Sequence, residues 1–158
     1  MAIAGLVLGF ALPTLTTTVT VEIYQARQEA KELAKEITCG ANLRTIAEAA
    51  NIYRTDYSDV WPGNLQVLID EDLLGPDSIR CPLSQSPRES DYFYHPPADD
   101  ASPMTLLACD WRGNHRSGRN VVHANGKVRM VSEQEFQQLL KKPENADFAR
   151  ALREAEGP

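Results

Sequence analysis

The uncharged N-terminal segment constrains this chain more than any other feature. Residues 1–21, MAIAGLVLGFALPTLTTTVTV, contain no Asp, Glu, Lys, Arg or His, and the first charged side chain is Glu22. As an α-helix the segment would be about 31 Å long at ~1.5 Å per residue, close to the thickness of a bilayer core. It therefore predicts a helix retained in a membrane or at its interface. The residues that we expect to carry this role are Ile3, Gly5, Leu6, Leu8, Gly9, Phe10, Leu12 and Pro13.

Two other interpretations of the same segment remain open, a cleaved secretory signal peptide and a buried core helix. A signal peptide would need a basic start and a clear small-x-small cleavage site, and the segment has neither. Gly and Pro are more frequent in membrane helices than in soluble ones, which favours the membrane interpretation. The threonines at 16–18 make the end of the segment less apolar.

Residues 22–57 are predicted to continue the same long helix. Apolar side chains recur every three or four residues, which is the spacing of one helix face. The pattern forms two stripes whose phase shifts near Gly40. The first stripe is Ile23, Ala26, Ala30, Leu33 and Ile37, and the second is Cys39, Leu43, Ile46, Ala50 and Tyr53.

Residues 58–142 are predicted to form an α+β head, and residues 143–158 a polar tail that is either loose or a short helix. NLQVLIDEDLL reads as a short amphipathic helix and DSIRCPLS as an extended piece, while DYFYHPP and MTLLACDW read as strands. RNVVHA and KVRMVS flank Asn125-Gly126, a two-residue hairpin turn in which both residues need positive φ. Ser132 and Glu135 form a capping box, which predicts a helix from Glu133 that ends before Pro143.

The composition predicts one globular domain with an appendage. The chain has 158 residues and a net charge of −6, from 16 basic and 22 acidic side chains. An acidic chain is not expected to bind nucleic acid, which requires a basic excess. The hairpin region is locally basic, and we expect a solvated face there, formed by Arg112, Arg116, Arg119, Lys127 and Arg129.

No local pattern of residues indicates an enzyme, a cofactor or a metal site. The cysteines Cys39, Cys81 and Cys109 are too far apart in sequence for a paired-cysteine zinc motif. In a reducing compartment they would be buried thiols, and in an oxidising one two of them could pair. No ligand spacing connects the other candidate groups, and there is no phosphate-binding glycine loop. Those groups are His95, His115, His123, Asp99, Asp100 and Asp110.

Several motifs in order resemble a known family. ARQEAKELAKEITCGANLRTIAEAANIYRTDY, then WPGNLQVLI, then IRCP, resembles the type II secretion pseudopilin and type IV pilin-like proteins found in Planctomycetes and related bacteria. The matching positions include Cys39, Asn42-Leu43, Tyr53 and Asp56. The same proteins carry a C-terminal element of a His, nine residues and Asp-Gly, and here His115 is followed by nine residues and Asn125-Gly126.

The resemblance implies a pilin-like α+β fold, a long N-terminal helix packed on a small antiparallel sheet. It also implies a structural role without catalysis or cofactors, as a subunit of a secretion or surface filament. The partners would be further copies, other pilin-like subunits and the membrane, with the head in the periplasm or the whole chain in an extracellular filament. Assembly would bundle the apolar segments, with Gly5 and Gly9 permitting close approach.

The resemblance further implies a disulfide between Cys39 and Cys81, because the domain would fold back onto the helix. Such a bridge would close a loop of about 40 residues and stabilise the fold by roughly 3–4 kcal/mol. Pairing with Cys109 and no bridge at all are the alternatives.

Two positions depart from the family pattern. Position 5 is Gly5, where the family carries a Glu that pairs with a neighbouring amino terminus, and Asn125 replaces an Asp. Either the usual processing and filament register do not apply, or Met1 is itself a processed or truncated start. The missing Glu favours a non-polymerising, single-pass periplasmic binding module as the main alternative. An enzyme built on Cys109 with His115 or His123 is a more distant one.

Overall fold

Helix α1 is the longest element of the structure and spans Ala4–Asp56. The computed structural model describes the backbone of residues 4–84, 86–116 and 118–157, and the side chains in those ranges from residue 21 onward. The chain divides into two units, residues 1–34 and 35–158. The predicted long N-terminal helix is confirmed from Val21 to Asp56.

The membrane prediction for residues 1–21 falls outside the described side chains, except at Val21. Among the residues that the structure describes, no helix is both long enough and apolar enough to span a bilayer.

The two apolar stripes of α1 have different surroundings. The second stripe is part of the core, because Cys39, Leu43, Ile46 and Ala50 are fully buried and Tyr53 packs partly buried against them. The first stripe is exposed. Its large side chains have high exposed fractions, 50% for Ile23, 58% for Leu33 and 65% for Ile37.

Four antiparallel strands form one sheet in the order β1-β2-β3-β4. The predicted α+β class with an antiparallel sheet is therefore confirmed. The strands are β1 (Tyr92–Tyr94), β2 (Leu106–Asp110), β3 (Arg119–His123) and β4 (Val128–Val131).

The sheet has a hydrophobic cluster on each face. Leu107 and Val122 belong to the cluster that contains the second stripe of α1, whereas Leu106, Cys109 and Val121 belong to the other cluster. Strands covered on both faces need apolar side chains at successive positions, because neighbouring side chains point to opposite faces. This explains the runs LLAC and VV, in which polar and apolar residues do not alternate.

Two C-terminal helices cover the second face of the sheet. Helix α3 (Glu133–Leu140) begins with the predicted capping box, in which Ser132 Oγ accepts the Glu135 N–H at 3.2 Å and Glu135 Oε2 accepts the Ser132 N–H at 2.9 Å. For the C-terminal tail, predicted as either loose or a short helix, the structure has a 3₁₀ turn (Pro143–Asn145) and helix α4 (Ala146–Glu156). The reason is an apolar face on α4 at helical spacing, Phe148, Ala149 and Leu152, all buried.

Two predicted local structures differ in detail. DSIRCPLS is not extended throughout, because Pro76–Ile79 forms a 3₁₀ turn after helix α2 (Leu65–Asp70). At the β3–β4 turn only Gly126 has positive φ (78°), and Asn125 does not. The Gly126 N–H donates to the His123 carbonyl at 2.8 Å, and His123 N donates to the Lys127 carbonyl at 3.1 Å. The loop thus has three residues ending in a left-handed glycine, instead of two in a mirror-image turn.

Candidate functional site

Cys39 and Cys81 meet beneath the sheet face that packs on α1. Their Sγ atoms are 2.6 Å apart, and both cysteines are free and buried. Among the described side chains of α1, Cys39 is the first that is fully buried. Cys81 follows the 3₁₀ turn, and its N–H donates to Asp91 Oδ2 at 3.0 Å. The structure therefore brings together the two cysteines for which the resemblance implies a disulfide, while the bond itself remains a prediction.

Cys109 lies apart from this pair. It is fully buried in β2 and belongs to the cluster on the opposite face of the sheet. Cys39 and Cys81 belong to the cluster on the α1 face. Because the sheet separates the two clusters, the fold favours neither Cys109 pairing nor a nucleophilic role for this thiol.

His115 completes the cysteine cluster from the loop between β2 and β3. Its Nε2 is 3.8 Å from Cys81 Sγ and 3.0 Å from Asp110 Oδ2. Asn120 supports the carboxylate, because its backbone N–H and its side-chain Nδ2 donate to Asp110 Oδ2 at 2.7 and 2.9 Å. The side chains of His115 and Asp110 are both fully buried.

The loop that carries His115 is held by hydrogen bonds to neighbouring segments. Asn114 Nδ2 donates to the Asp91 carbonyl at 2.8 Å. The side chain of Asp91 in turn accepts the Cys81 N–H. One aspartate therefore joins the segment carrying Cys81 to the loop carrying His115, which fixes the two side chains relative to each other.

The three side chains shift one another's ionisation. The hydrogen bond from the Cys39 thiol lowers the pKa of Cys81, burial opposes this, and His115 lowers it further. The hydrogen bond to Cys81 and burial raise the pKa of Cys39. Burial lowers the pKa of His115, but its contacts with Asp110 and Cys81 outweigh burial and raise it above its ordinary value. Of the two thiols, that of Cys81 is therefore the more readily deprotonated, because the pKa of Cys81 is lowered and that of Cys39 is raised.

Two atoms of the cluster have no hydrogen-bond partner in the described part of the chain. They are Nδ1 of His115 and Oδ1 of Asp110, both buried. Buried polar atoms are normally paired, and each unpaired one costs on the order of 1–3 kcal/mol. The cluster is therefore more polar than its packing role requires, which marks it as the candidate site.

The other candidate residues lie away from the cluster. His95 is partly buried and stacks on Phe93 with ring centroids 6.4 Å apart. The Nδ1 atom of His123 is 2.6 Å from the Met104 carbonyl. Asn125 and Gly126 form the turn at the far end of β3 from His115. The two parts of the C-terminal element are therefore separated by the length of a strand.

One member of the predicted basic face is buried. Arg119 is 1% exposed and its guanidinium bonds Glu156 at 2.7 Å and Glu133 at 3.0 Å. It also lies 4.5 Å from the ring centre of Phe136. The expectation of a solvated side chain is wrong here, because two carboxylates from the C-terminal helical region neutralise the charge inside the head. Arg112, Arg116, Lys127 and Arg129 are exposed, as predicted.

The resemblance implied that Cys39 and Cys81 are close, but the sequence did not indicate that His115 joins them, because the three residues come from distant segments. Cys39 and Cys81 are 42 positions apart, and Cys81 and His115 are 34 apart. The family resemblance includes all three residues, in three separate motifs, and this shared membership is the one signal that could have suggested their proximity. Together they place two sulfurs and an imidazole nitrogen within 4.8 Å of one another. Such a set can form a disulfide when oxidised or bind a thiophilic cation when reduced.

Comparisons of the chain with known protein families, with curated proteins and with solved structures found no match.

Proposed function

We propose that this chain is a structural subunit of a pilin-like or pseudopilin-like filament, assembled through its apolar N-terminal helix. The observation that carries the proposal is the division of α1 described above. One apolar stripe is buried in the head, whereas the other is exposed over residues 21–37.

The exposed stripe fits burial against further copies of the helix. Val21, Ile23, Leu33 and Ile37 are each at least 50% exposed. Fully burying an aliphatic side chain of this size stabilises an assembly by about 1.5–3 kcal/mol. Several such side chains on one helix therefore provide a substantial driving force for lateral association.

The charges of the same segment fit packing between like helices. Residues 22–36 contain four acidic and three basic side chains, interspersed along the helix. Near-balanced charges allow identical helices to approach without net repulsion, and opposite charges flanking an apolar seam select register. The acidic side chains are Glu22, Glu29, Glu32 and Glu36, and the basic ones are Arg27, Lys31 and Lys35.

The proposal includes a location and a set of partners. The head would face an oxidising compartment, the periplasm or the cell exterior, where Cys39 and Cys81 can form a disulfide. The partners would be further copies of the chain, other pilin-like subunits and the membrane. Catalysis, a cofactor and nucleic-acid binding are not part of the proposal.

Negative-stain electron microscopy of the purified full-length chain tests the proposal, beside a version lacking residues 1–21. We expect filaments from the full-length chain only, because the shortened chain loses the apolar segment. Dispersed particles from both versions in several detergents would contradict the proposal.

One observation favours a second candidate, a membrane-anchored binding module that does not polymerise. Gly5 stands where pilin-like proteins carry the Glu that pairs with a neighbouring subunit. An apolar anchor without that carboxylate needs no filament partner. Dispersed single particles of the full-length chain, bound to vesicles through residues 1–21, would support this candidate.

A further inference from the structure

We propose that the reduced head binds one zinc-class divalent metal ion through Cys39 Sγ, Cys81 Sγ and His115 Nε2. This inference does not depend on filament assembly, because every residue involved lies within residues 35–158. Its basis is the chemistry and the geometry of the cluster.

The three donor atoms are those that zinc prefers. Thiolate sulfur binds zinc at about 2.3 Å and imidazole nitrogen at about 2.0–2.1 Å, in a tetrahedral arrangement. Those bond lengths place a sulfur and a nitrogen ligand about 3.5 Å apart. Cys81 Sγ and His115 Nε2 are 3.8 Å apart in the structure, so this pair already has nearly the required separation.

The two sulfurs must move apart on binding. They lie 2.6 Å from each other, whereas two sulfur ligands of one zinc ion are separated by about 3.8 Å. Binding therefore requires the two sulfurs to separate by more than about 1 Å. Rotation of the two cysteine side chains would provide this separation.

The polar surroundings fit a metal ion better than a disulfide alone. A disulfide is neutral and needs neither an imidazole nor a carboxylate, and burying such groups carries a desolvation cost. Asp110 Oδ2 lies 3.0 Å from His115 Nε2, so this carboxylate is close enough to provide an additional oxygen donor. Its Oδ1 is buried without a partner among the described residues, and Asn120 holds the group in place. Hydrogen bonds to a ligating or adjacent carboxylate are typical of the outer shell of metal sites.

The metal ion and the disulfide exclude each other, because both use the same two sulfurs. Zinc binding is therefore a property of the reduced chain only. The oxidised chain, two hydrogens lighter, provides an internal control that has the same sequence.

Titration with Co²⁺, a spectroscopic substitute for Zn²⁺, tests the site in the full-length chain under a phosphine reductant. We expect one equivalent to bind with thiolate-to-cobalt charge-transfer absorption, and Zn²⁺ to displace it. Cys39→Ser and Cys81→Ser should lose this absorption, and His115→Gln should bind at least tenfold more weakly. Cys109→Ser is the matched control, since it removes a buried thiol on the other face of the sheet and should bind as the wild type does.

A second measurement covers the case in which the cysteine variants fail to fold. Zn²⁺ should raise the Tm of the reduced wild-type chain, because a ligand that binds only the folded state stabilises it. It should leave the Tm of the oxidised chain unchanged. The proposal is overturned if the reduced chain shows neither cobalt absorption nor a zinc-dependent Tm, or if the His115→Gln chain binds as tightly as the wild type.

Discussion

His115 lies in a loop, yet its side chain is as buried as those of the core. Loop histidines are commonly solvated, so burial of this one requires partners that compensate for lost water. Two partners lie at the ends of the strands that the loop joins, Asp110 in β2 and Asn120 in β3. The third, Cys81, is 34 positions away in sequence. A single imidazole therefore connects the C-terminal element of the chain to the cysteine pair.

At the residue scale we expect oxidation to link Cys39 to Cys81. The oxidised chain should have a higher free energy of unfolding than the reduced chain by roughly 3–4 kcal/mol, because the link closes a loop of about 40 residues. Intact mass, peptide mapping and denaturant unfolding of both forms measure this. Cys109→Ser is the control and should show the same difference between its two forms. Linkage through Cys109 would contradict the expectation.

A second residue-scale prediction concerns pH. Burial raises the pKa of Glu133, but hydrogen bonds from Arg119 and Gln137 outweigh burial and hold it below its usual value. A lowered folded pKa stabilises the protein above the unfolded pKa, and this contribution is lost as pH falls through the folded value. Glu133→Gln should therefore destabilise the head at pH 7, and the difference from wild type should shrink with acidification below about pH 4.5. Thermal unfolding over a pH series measures this, and a difference that persists at low pH would contradict the electrostatic cause.

At the scale of elements, the loop from β2 to β3 has one position that only glycine fits. Gly118 has φ of +146°, and a Cβ there would overlap the carbonyl oxygen of Val131 at the end of β4. Where the loop enters β3, its backbone lies directly against the backbone at the end of β4, which leaves no room for a side chain at Gly118.

Gly118→Ala should destabilise the head by about 1–3 kcal/mol, because a residue with a side chain is strained in this backbone conformation. The steric overlap with Val131 adds to this cost. Chemical denaturation measures the free energy of unfolding. Gly63→Ala is the matched control, because a Cβ at Gly63 meets nothing within 4 Å and its φ is not in the positive range. Equal stability of the two variants would show that β4 can move away at little cost.

Elements defined by local patterns were predictable from sequence, whereas their long-range arrangement was not. The stripe from Cys39 to Tyr53 indicated which face of α1 is buried, and Ser132 with Glu135 indicated the start of α3. The sequence did not decide between a loose tail and helix α4, because three apolar residues among charged ones form a buried face only if a partner surface exists. That surface is the second face of the sheet. The cluster of Cys39, Cys81 and His115 depends on the same tertiary arrangement, which no local spacing encodes.

At the scale of the whole molecule, five of the ten exposed large hydrophobic side chains in the described part of the chain lie on residues 21–37 of α1. Among the described side chains of α1, the exposed large hydrophobic ones are Val21, Ile23, Tyr24, Leu33, Ile37 and Ile52. Single exposed apolar residues are ordinary on a protein surface, but a set repeated along one helix indicates an interaction surface.

Replacing Ile23 and Leu33 together with Ser should impair assembly, because it removes apolar area from the proposed interface. The Tm of the head should stay the same, since neither side chain is buried in this structure. Sedimentation and electron microscopy measure assembly, and thermal unfolding measures the head. Ile52→Ser, which changes a side chain of α1 that is also 50% exposed but lies in the head unit, is the control. Assembly that is equally weakened by the control would contradict a specific role for the first stripe.

The position of Cys39 has a mechanical consequence. From Val21 onward it is the first fully buried residue along α1, so tension applied to the helix before it would reach the buried stripe at Cys39. Without a link, the stripe can peel away one turn at a time, which requires little force. A link between Cys39 and Cys81, either a disulfide or a shared metal ion, would prevent this separation from beginning at Cys39. The remaining stripe would then have to separate from the sheet as one unit, so a linked head would resist pulling along its own helix better than an unlinked one.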